Sequence, residues 1–556
     1  MLISFMLISC LITATGVSII EPVDGETYSG DWLTVRAIIE NENVVPDSVN
    51  YSLNGEPVLQ IPRLNTDWPT YMQNQTRNGF SESPGPTDAS ILWTAPVTGD
   101  WHIFHSPVIV DGTLYFCHDS LYSMSPATGE VYWSYPLSEI GDDSPVVCDG
   151  RLFCVTDSIY CFDLATHEIG WVRHGGDSYN SNPVIQGDRL FIVFNAGGVP
   201  CAVRCYDIFD GSQIWGRTLS GTAASCMSLW NDLLIVPTWK SLYALETSSG
   251  DIVWENTHSV SGYHDSSPCI VGDVIYIGSC DGDLLAIDAA SGDLIWELPI
   301  QPTSALEATP AFSDNIIVCG NRETLFAADA ANAELIWQSD LGLHGSPVIA
   351  DGIVYWGAYL EDLLKPDSLY AADLLTGEII WSYLPDSTAT LITTPPIVDG
   401  ILYLPAANGY LYAFGTGLKY TYLDELYAQI GSNELIVTSW LDGVDVAADT
   451  VSFTVTQTGV TPNPSMSVNL SITPNPTSDF TAISFEIEEP GMVSLCVFDV
   501  SGREVSALLD TELSAGVHSV QWHGCGNEGQ PLSSGLYFCM IEYMSYAESK
   551  ALCVLR

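Results

Sequence analysis

The stretch SPVIVDGTLYFCHDSLYSMSPATGEVYW, Ser106 to Trp133, decides the fold, because similar stretches recur along the chain. SPVVCDGRLFCVTDSIYCFDLATHEIGW follows at Ser144 to Trp171, and SPCIVGDVIYIGSCDGDLLAIDAASGDLIW lies at Ser267 to Trp296. Alignment on the Ser/Thr-Pro start and the Asp-Gly turn gives eight units, spaced by about 40 residues. A period of this length is typical of repeat architectures, so the chain is predicted to be a repeat protein.

Each unit contains four short apolar stretches separated by turn residues. Asp-Gly favours a tight hairpin turn after the first stretch, and Thr-Gly or Ser-Gly precedes the last, which ends in Trp. Four strands per repeat are typical of a β-propeller. The eighth unit, from Thr394, has no Trp strand, but Ser90-Ile91-Leu92-Trp93 supplies one ahead of unit one. We therefore predict an all-β chain with an eight-bladed β-propeller over 65–418, closed by strand exchange, which removes a free sheet edge.

The repeats resemble the quinoprotein, or PQQ-like, β-propeller family over roughly Asp67 to Gly417. The lead-in Trp68-Pro69-Thr70-Tyr71, with Arg77-Asn78-Gly79, is similar to the segment that precedes the family's propeller. The Trp at the end of each unit matches the family's docking pattern. The resemblance implies that each of these Trp side chains packs between neighbouring blades.

One position in the third strand of every unit holds a small residue, which indicates close packing of the sheets. Two of the 15 cysteines, Cys161 and Cys205, occupy this position and are expected to be small core residues, with a functional thiol as the alternative. The cysteine spacings contain no CxxC pair and no haem-attachment motif. The residues at the small position are Ser123, Cys161, Cys205, Ala244, Ala286, Ala327, Ala371 and Ala413.

The segments on either side of the propeller read as two halves of one Ig-like sandwich. The first half, 17–64, contains the strand-like stretches WLTVRAIIE and SVNYSLNGEPVLQI but lacks closing strands. The second half, 419–458, contains GSNELIVTSW and TVSFTV, which look like the last strands of such a domain. Insertion of a propeller into a loop is reasonable because its two ends lie close together. Two unrelated β segments are the alternative.

A linker rich in Pro, Ser and Asn, 459–471, precedes a C-terminal module over 472–556 that alternates apolar and polar residues. This pattern favours a small β-sandwich. The module resembles the type A C-terminal sorting domain of the type IX secretion system and the Ig-like domain of flagellar hook-capping proteins. The residues that carry the resemblance are Pro474-Asn475-Pro476, Asp499 with Ser501-Gly502-Arg503, Ala515-Gly516 with His518, Trp522, Gly535 with Tyr537, and Lys550.

The resemblance to a sorting domain implies export across the outer membrane by the secretion machinery, with removal of the module on arrival as an open question. A plain accessory β-sandwich is the alternative. The apolar run Leu2 to Ala14 has the length of a signal-peptide core, so residues 1–16 are predicted to be a signal peptide. Leu7-Ile8-Ser9-Cys10 also resembles a lipobox, which would make the protein a periplasmic lipoprotein with a lipid on Cys10.

Composition excludes several classes of partner. The 556 residues include 68 Asp+Glu against 15 Lys+Arg, a formal net charge of −53. Nucleic acids and anionic lipid surfaces are poor partners for such a chain, because both require clusters of Lys and Arg. Apolar residues make up 47%, so the chain is not a disordered acidic tail. No segment after the signal reaches about 18 consecutive apolar residues, so the mature chain is expected not to span a membrane.

The loop before each Ser/Thr-Pro start is expected to lie at one mouth of the propeller's channel, because it joins the outer strand of one blade to the inner strand of the next. Histidine and acidic side chains in these loops could bind a divalent metal or a polar ligand. A solvated polar rim is the alternative, since no two histidines have a recognised metal spacing. The candidate residues are His105, Asp143, Asn180, His264, Asp265, Glu307 and His344.

The sequence favours a non-enzymatic protein. Enzymes of the PQQ-like family hold PQQ over adjacent bonded cysteines and beside Ca²⁺, whereas this chain has no Cys-Cys dipeptide and nearly minimal repeats. We therefore expect neither cofactor and no catalytic residue. The predicted function is a secreted or cell-surface propeller that binds protein, peptide or glycan. The alternatives are a PQQ-dependent dehydrogenase and a periplasmic scaffold of the outer-membrane-assembly type.

Overall fold

The structure is a computed structural model of the chain. It describes residues 16–21, 27–29, 32–40, 48–53, 56–62, 67–97, 106–117, 120–137, 144–156, 158–174, 182–194, 200–223, 225–258, 266–300, 304–343, 345–358, 368–384, 393–406, 408–427, 431–441, 444–456, 471–473, 481–487, 491–499, 504–526, 535–543 and 546–554.

These residues form β-strands joined by turns and irregular segments. Ahead of the repeats lie β1 (Gly16–Glu21), β2 (Thr27–Ser29), β3 (Trp32–Glu40), β4 (Ser48–Leu53), β5 (Glu56–Pro62), β6 (Phe80–Ser81) and β7 (Ile91–Pro96). The first four repeats supply β8 (Val108–Val110), β9 (Thr113–Cys117), β10 (Ser120–Met124), β11 (Val131–Pro136), β12 (Val146–Cys148), β13 (Arg151–Val155), β14 (Ser158–Asp163), β15 (Glu168–His174), β16 (Val184–Gln186), β17 (Arg189–Phe194), β18 (Ala202–Asp207), β19 (Gln213–Thr218), β20 (Ser228–Trp230), β21 (Leu233–Pro237), β22 (Leu242–Glu246) and β23 (Ile252–Asn256).

The last four repeats supply β24 (Cys269–Val271), β25 (Val274–Gly278), β26 (Asp283–Asp288), β27 (Leu294–Pro299), β28 (Ala311–Ser313), β29 (Ile316–Gly320), β30 (Leu325–Asp329), β31 (Leu335–Ser339), β32 (Val348–Ala350), β33 (Ile353–Ala358), β34 (Ser368–Asp373), β35 (Ile379–Tyr383), β36 (Ile397–Val398), β37 (Ile401–Ala406) and β38 (Tyr410–Phe414). Beyond them lie β39 (Lys419–Tyr427), β40 (Gly431–Leu441), β41 (Val444–Thr456), β42 (Ser471–Thr473), β43 (Thr481–Ile487), β44 (Gly491–Asp499), β45 (Glu504–Leu513), β46 (Gly516–Trp522), β47 (Gly535–Tyr543) and β48 (Tyr546–Val554).

The repeats form eight antiparallel sheets, which are the blades of a propeller. Blades 1 to 7 take four consecutive strands each, from β8–β11 to β32–β35, and run from the inner to the outer strand. In blade 7, β6 of the lead-in adds a fifth strand, parallel to β32. Blade 8 contains β36, β37 and β38, and its outermost strand is β7 from the start of the chain. Trp93 of β7 lies opposite Ala413 of β38. The predicted eight blades and their closure by strand exchange are therefore confirmed.

The Trp at the end of most outer strands joins its blade to the next one. Its indole Nε1 donates a hydrogen bond to a main-chain carbonyl oxygen of the following blade, for example Trp215 to Thr247 at 3.0 Å and Trp337 to Leu374 at 2.8 Å. Blade 7 differs, because Trp381 donates to Pro86 in the lead-in at 3.0 Å. The Trp docking implied by the family resemblance is thus present, and the lead-in completes the seam beside blade 8.

In blades 1 to 7 the turn before the outer strand has a left-handed residue, and where this is glycine it lies against the Trp docked from the preceding blade. Gly250 has φ +72°, and a Cβ built on it would lie 2.5 Å from Cε3 of Trp215. Two turns carry another residue in this conformation: His167 (φ 60°) in blade 2, and Ala333 (φ 60°) in blade 6. The Thr-Gly signature therefore reflects both backbone conformation and the space that the indole takes.

Replacing Ala333 by glycine should stabilise the protein, because an L-residue in the left-handed region is strained. We expect Ala333→Gly to raise the free energy of unfolding by about 0.5–1 kcal/mol, the strain relieved being partly offset by the entropy of glycine in the unfolded chain. Urea titration followed by circular dichroism measures the change. Gly250→Ala is the matched control and should be destabilising, so a destabilised Ala333→Gly variant would contradict this account.

The small position of the third strand is buried in every blade, with exposures between 0% and 2%. In each blade it lies directly across the strand pair from the terminal Trp, as Cys161 does from Trp171 and Cys205 from Trp215. Burial raises the pKa of the Cys161 thiol to about 11 and that of Cys205 to about 12, which leaves both as unreactive thiols at neutral pH. The prediction of small core residues is confirmed for both.

A disulfide that the sequence did not predict joins Cys117 of β9 to Cys154 of β13. The two residues belong to neighbouring blades 1 and 2, and both are buried, at 5% and 1% exposure. The bond is therefore a covalent link between two neighbouring blades.

The strands before and after the propeller pair with one another. One sheet has the order β1-β3-β39, and the other has the order β2-β41-β40-β4-β5. Within the second sheet, Tyr51 of β4 lies opposite Val437 of β40. Two sheets built from both flanks agree with the predicted Ig-like sandwich into which the propeller is inserted.

The C-terminal module consists of two sheets, β42-β43-β46 and β45-β44-β47-β48. Its core contains Phe485, Val497, Trp522, Cys539 and Ile541, each at most 3% exposed. This arrangement agrees with the predicted small β-sandwich. Across the described parts of the whole chain, no helix has the length and apolarity needed to cross a membrane.

Candidate functional site

The channel of the propeller contains the lead-in. We call Trp68–Ser83 the axial segment, because it contacts the inner part of every blade in turn. Its main chain pairs with blade 1 through Trp68 and Ile109, whose mutual N–H···O distances are 2.7 and 3.0 Å. Main-chain bonds of 2.8–2.9 Å follow to blades 2, 4, 5, 6 and 7: Val147 to Pro69, Leu229 to Gln75, Ile270 to Thr76, Phe312 to Asn78, and Ile349 to Gly79.

Side chains of the axial segment complete the contacts with the two remaining blades. In blade 3, the main-chain N–H of Ile185 donates to Oε1 of Gln75 at 3.2 Å. In blade 8, the Ser81 hydroxyl donates to the Ile397 carbonyl oxygen at 2.7 Å. All eight blades therefore hydrogen-bond to one continuous stretch of chain.

Arg77 is fully buried in the channel, at 0% exposure. Its Nε donates to the carbonyl oxygen of Met227, and one Nη donates to that of Asn182 at 2.8 Å. The other Nη donates to the Tyr71 carbonyl oxygen at 3.0 Å, and the guanidinium lies 5.4 Å from the centre of the Tyr71 ring. The planar fork of arginine thus joins blades 3 and 4 to the axial segment, a geometry that the single ammonium of lysine does not reproduce.

Eight residues, each two or three positions before an inner strand, form a second feature of the channel, which we call the polar ring. Each ring residue bonds to its counterpart in the neighbouring blade, as the Ser106 N–H does to Oγ of Ser144 at 2.9 Å. The Ser106 hydroxyl closes the circle by donating to the carbonyl oxygen of Thr394 at 2.6 Å. The ring consists of Ser106, Ser144, Asn182, Cys226, Ser267, Thr309, Ser346 and Thr394.

The polar ring accounts for the Ser or Thr at the start of most repeats: in six of its eight links a short side chain accepts a main-chain N–H from the preceding blade. Tyr71 also reaches this ring, since its hydroxyl lies 3.0 Å from Oγ of Ser346 and 3.4 Å from Oγ1 of Thr309. The polar groups of the channel are therefore bound mainly to one another. Such an arrangement holds blades together, because buried polar groups are stable only when hydrogen-bonded.

Of the residues predicted at the channel mouth, the structure describes Glu307. It is partly buried, and its Oε2 accepts a hydrogen bond from Nε of Arg322 at 3.2 Å, so it forms an ion pair. Among the residues that the structure describes, no cluster of three or more potential metal ligands occurs. The proposed ring of histidines and acids stays a prediction, because the other candidates lie outside the described residues: His105, Asp143, Asn180, His264, Asp265 and His344.

A small titratable cluster that the sequence did not predict lies between blades 4 and 5. Nε2 of His258 lies 2.9 Å from Oε2 of Glu297. Desolvation and the neighbouring carboxylate of Glu297, with a smaller contribution from Asp281, raise the pKa of Asp283 to about 6. The Asp283 carboxyl is therefore protonated in a substantial fraction of molecules at pH values near 6.

Replacing Asp283 by asparagine should remove a loss of stability at neutral pH. A carboxyl whose pKa is raised on folding makes the native state less stable as pH rises from about 4 through 6. We expect Asp283→Asn to raise Tm by about 2 °C at pH 7.5 and to have little effect at pH 4. Thermal melts at both values measure this, with Asp293→Asn on the same blade as the control for loss of one charge. Equal shifts at both pH values would contradict the prediction.

Comparison with known proteins assigns the propeller. A model of the family described as outer membrane protein assembly factor BamB matches residues 85–204 and 156–383, which together exceed half of the 556 residues. The chain belongs to the BamB family. This finding confirms the PQQ-like propeller part of the sequence interpretation. A second model, the FlgD Ig-like domain, matches 469–545 in the C-terminal module.

Individual relatives of this BamB-family chain match only part of it. BamB of Yersinia pestis is 25% identical over 234 residues, which cover 40% of this chain and 58% of that protein. Lupanine 17-hydroxylase (cytochrome c) of a Pseudomonas species is 35% identical over 78 residues, 12% of this chain and 10% of that one. The chain thus spans less than two thirds of either relative.

A solved structure of a europium-containing methanol dehydrogenase is similar to the chain with a TM-score of 0.52 at 13% identity, covering 63% of this chain and 98% of that one. At that identity the likeness shows the propeller fold alone. The residues present do not fit the PQQ site that the family resemblance implies: no two cysteines are adjacent in sequence, and the described disulfide joins residues 37 positions apart. We derive no chemistry through that cofactor, and its absence stays a prediction.

Proposed function

We propose that this BamB-family protein is a non-enzymatic scaffold that binds other proteins, of the same general kind as the outer membrane assembly factors it resembles. The observation that carries the proposal is the axial segment. A ligand on the propeller axis would compete with the chain's own main-chain bonds to the blades. The remaining surface for partners is the loops and the outer strands.

The acidic composition supports protein partners with basic or neutral surfaces. A net charge of −53 opposes binding to nucleic acids and anionic lipids and favours fast encounter with positively charged partners. Glycan binding is compatible with the same scaffold function, because the loops of a propeller offer a binding surface and the fold does not determine which ligand it takes. The likeness to a methanol dehydrogenase extends to the fold and does not favour a second, enzymatic proposal.

Chemical crosslinking of the tagged full chain in cell-envelope fractions, followed by mass spectrometry, tests the proposal. We expect outer membrane proteins or their assembly components among the crosslinked partners. The yield of these crosslinks should fall in high salt, because salt screens the attraction between charged surfaces. Purified protein given PQQ and Ca²⁺ with a dye acceptor should show no turnover. Turnover in that assay, or an envelope without any specific crosslinked partner, would contradict the scaffold proposal.

We further propose that the C-terminal module serves as a sorting domain after signal-peptide export. The FlgD-type Ig-like match supports its fold but leaves its role open. Mass spectrometry of the mature protein distinguishes a periplasmic from a secreted location. A lipid on Cys10 with the module retained would indicate a periplasmic lipoprotein. A cut near Gly16 with the module removed would indicate secretion.

A further inference from the structure

We propose that the axis of the propeller is a peptide-binding site whose ligand is the axial segment, Trp68–Ser83. The blades recognise this segment as a ligand bound in cis, and continuity with the rest of the chain is not what holds it there. The inference concerns a site separate from the partner surface and does not depend on the scaffold function.

The first support is the extent of contact. Trp68, Met72 and Arg77 are 0% exposed, and Thr70 and Ser81 are 1% and 2% exposed. Most other residues of the segment are partly buried, and Glu82 is exposed. Fully buried side chains spaced along a connecting segment are unusual, since loops run mostly over protein surfaces. The segment therefore anchors itself through particular buried side chains, as a bound peptide does.

The second support is the main-chain recognition. In blades 2, 4, 5, 6 and 7 an inner-strand N–H donates to a carbonyl oxygen of the segment, so the blades supply a circle of donors that faces the axis. Main-chain bonds of this kind give affinity in known peptide sites, and side-chain contacts give selectivity. Here Arg77 supplies the selective contacts to blades 3 and 4, and Tyr71 supplies those to blades 6 and 7.

The third support is the conformation of the segment. Met72, Gln73 and Arg77 have φ values of 58°, 75° and 56°, in the left-handed region that non-glycine residues avoid. Three such residues within six positions cost energy that only the surrounding contacts can offset. The free segment would not adopt this shape, so it must fold as it binds.

The experiment uses the full chain with two engineered protease sites. One lies within 63–66, ahead of the segment. The other lies at the exposed turn Thr87-Asp88, which precedes the outer strand of blade 8. Cleavage at both sites leaves the propeller with an unattached fragment of about the length of the segment. Gel filtration with intact-mass analysis then shows whether the fragment stays bound.

Selectivity is measured by letting synthetic peptides of residues 66–84 displace the cleaved fragment from the propeller. The substitutions are made in the peptide, so the blades keep their own residues. We expect the wild-type peptide to replace the fragment. A peptide with Arg77→Ala should compete about 100-fold less well, because it lacks the two hydrogen bonds from a charged donor to blades 4 and 3 and the third bond, to Tyr71, that holds the peptide in shape. The control peptide with Glu82→Ala should compete within about twofold of wild type, because Glu82 is exposed.

Retention of the fragment together with this ranking of peptides would support the proposal. Three results would overturn it: loss of the fragment from a ring that keeps its β circular dichroism, unfolding of the cleaved protein, or equal competition by the Arg77→Ala peptide. Unfolding would mean that the segment acts as a covalent tether and not as a ligand.

Discussion

Trp93→Ala should destabilise the propeller by about 3 kcal/mol, because a large side chain is removed from a packed seam. Its indole Nε1 donates to the Pro126 carbonyl oxygen at 2.9 Å, and its ring lies 6.0 Å from that of Tyr403. A Cβ on Gly129 would lie 2.6 Å from Cε3 of the same indole, so the turn of blade 1 packs directly on it. The effect should be large because Trp93 belongs to the strand that closes the ring.

The measurement is urea-induced unfolding followed by far-ultraviolet circular dichroism. Trp239→Ala is the matched control, since this Trp is 51% exposed and its loss should cost at most about 0.5 kcal/mol. Similar losses for the two variants would show that the closing strand is not held by its Trp.

Arg77→Met should lower the free energy of unfolding by about 3–5 kcal/mol, the cost typical of breaking a buried charged network. Methionine has a similar length but no donors. The carbonyl oxygens of Met227 and Asn182 would lose their hydrogen-bond donor inside the channel. A buried carbonyl oxygen without a donor costs free energy. Blades 3 and 4 would then be joined to the axial segment less firmly than the others.

Arg322→Met provides the comparison, because Arg322 is 51% exposed and pairs with Glu307 near the surface. Pairs of this kind contribute about 0–1 kcal/mol. Hydrogen exchange adds a local readout: the amides of Leu229 and Ile185 should exchange faster in Arg77→Met than in Arg322→Met. Uniform exchange in both variants would indicate that Arg77 acts only on global stability.

The parts of the fold that recur in the sequence were predictable. Eight Trp-terminated strands, eight small residues opposite them and a Ser or Thr at the start of every unit except the third, which starts at Asn182, all follow one period, so each repeat supports the interpretation of the others. The missing Trp strand of the last unit was conspicuous against that period, and Trp93 could be assigned to it. Unit four shows the limit of the pattern, because the ring position there is held by Cys226, one residue after the predicted start at Ser225.

The role of the axial segment was not predictable, because its contacts do not repeat along the sequence. Its contacts have no period and join residues that are far apart in sequence: Arg77 binds carbonyls 105 and 150 positions away. The lead-in motif could be recognised, but nothing in its composition says that it enters the channel. The one available signal was a single Arg, Arg77, between Tyr71 and Gly79 in a chain with only 15 Lys and Arg residues. That signal marks Arg77 as unusual but does not place it in the channel.

The disulfide between Cys117 and Cys154 and the cluster around Asp283 also arise from packing between blades. Cysteine spacing does not specify connectivity. The pKa of Asp283 depends on Glu297 of β27 and on His258, which follows β23 in the neighbouring blade. The predicted mouth residues depend on the long connecting loops, of which the structure describes Glu307. The sequence thus predicts the repeated contacts of this fold well and its single contacts poorly.

The length of the axial segment also restricts the number of blades that the propeller can have. It hydrogen-bonds to every blade, from Trp68 at blade 1 to Ser81 at blade 8, so its length matches a ring of eight. A ninth blade would bring an inner strand with no partner on the axis, and a ring of seven would leave one contact of the segment unmatched. Gain or loss of a whole repeat would therefore require a matching change in the length of the axial segment.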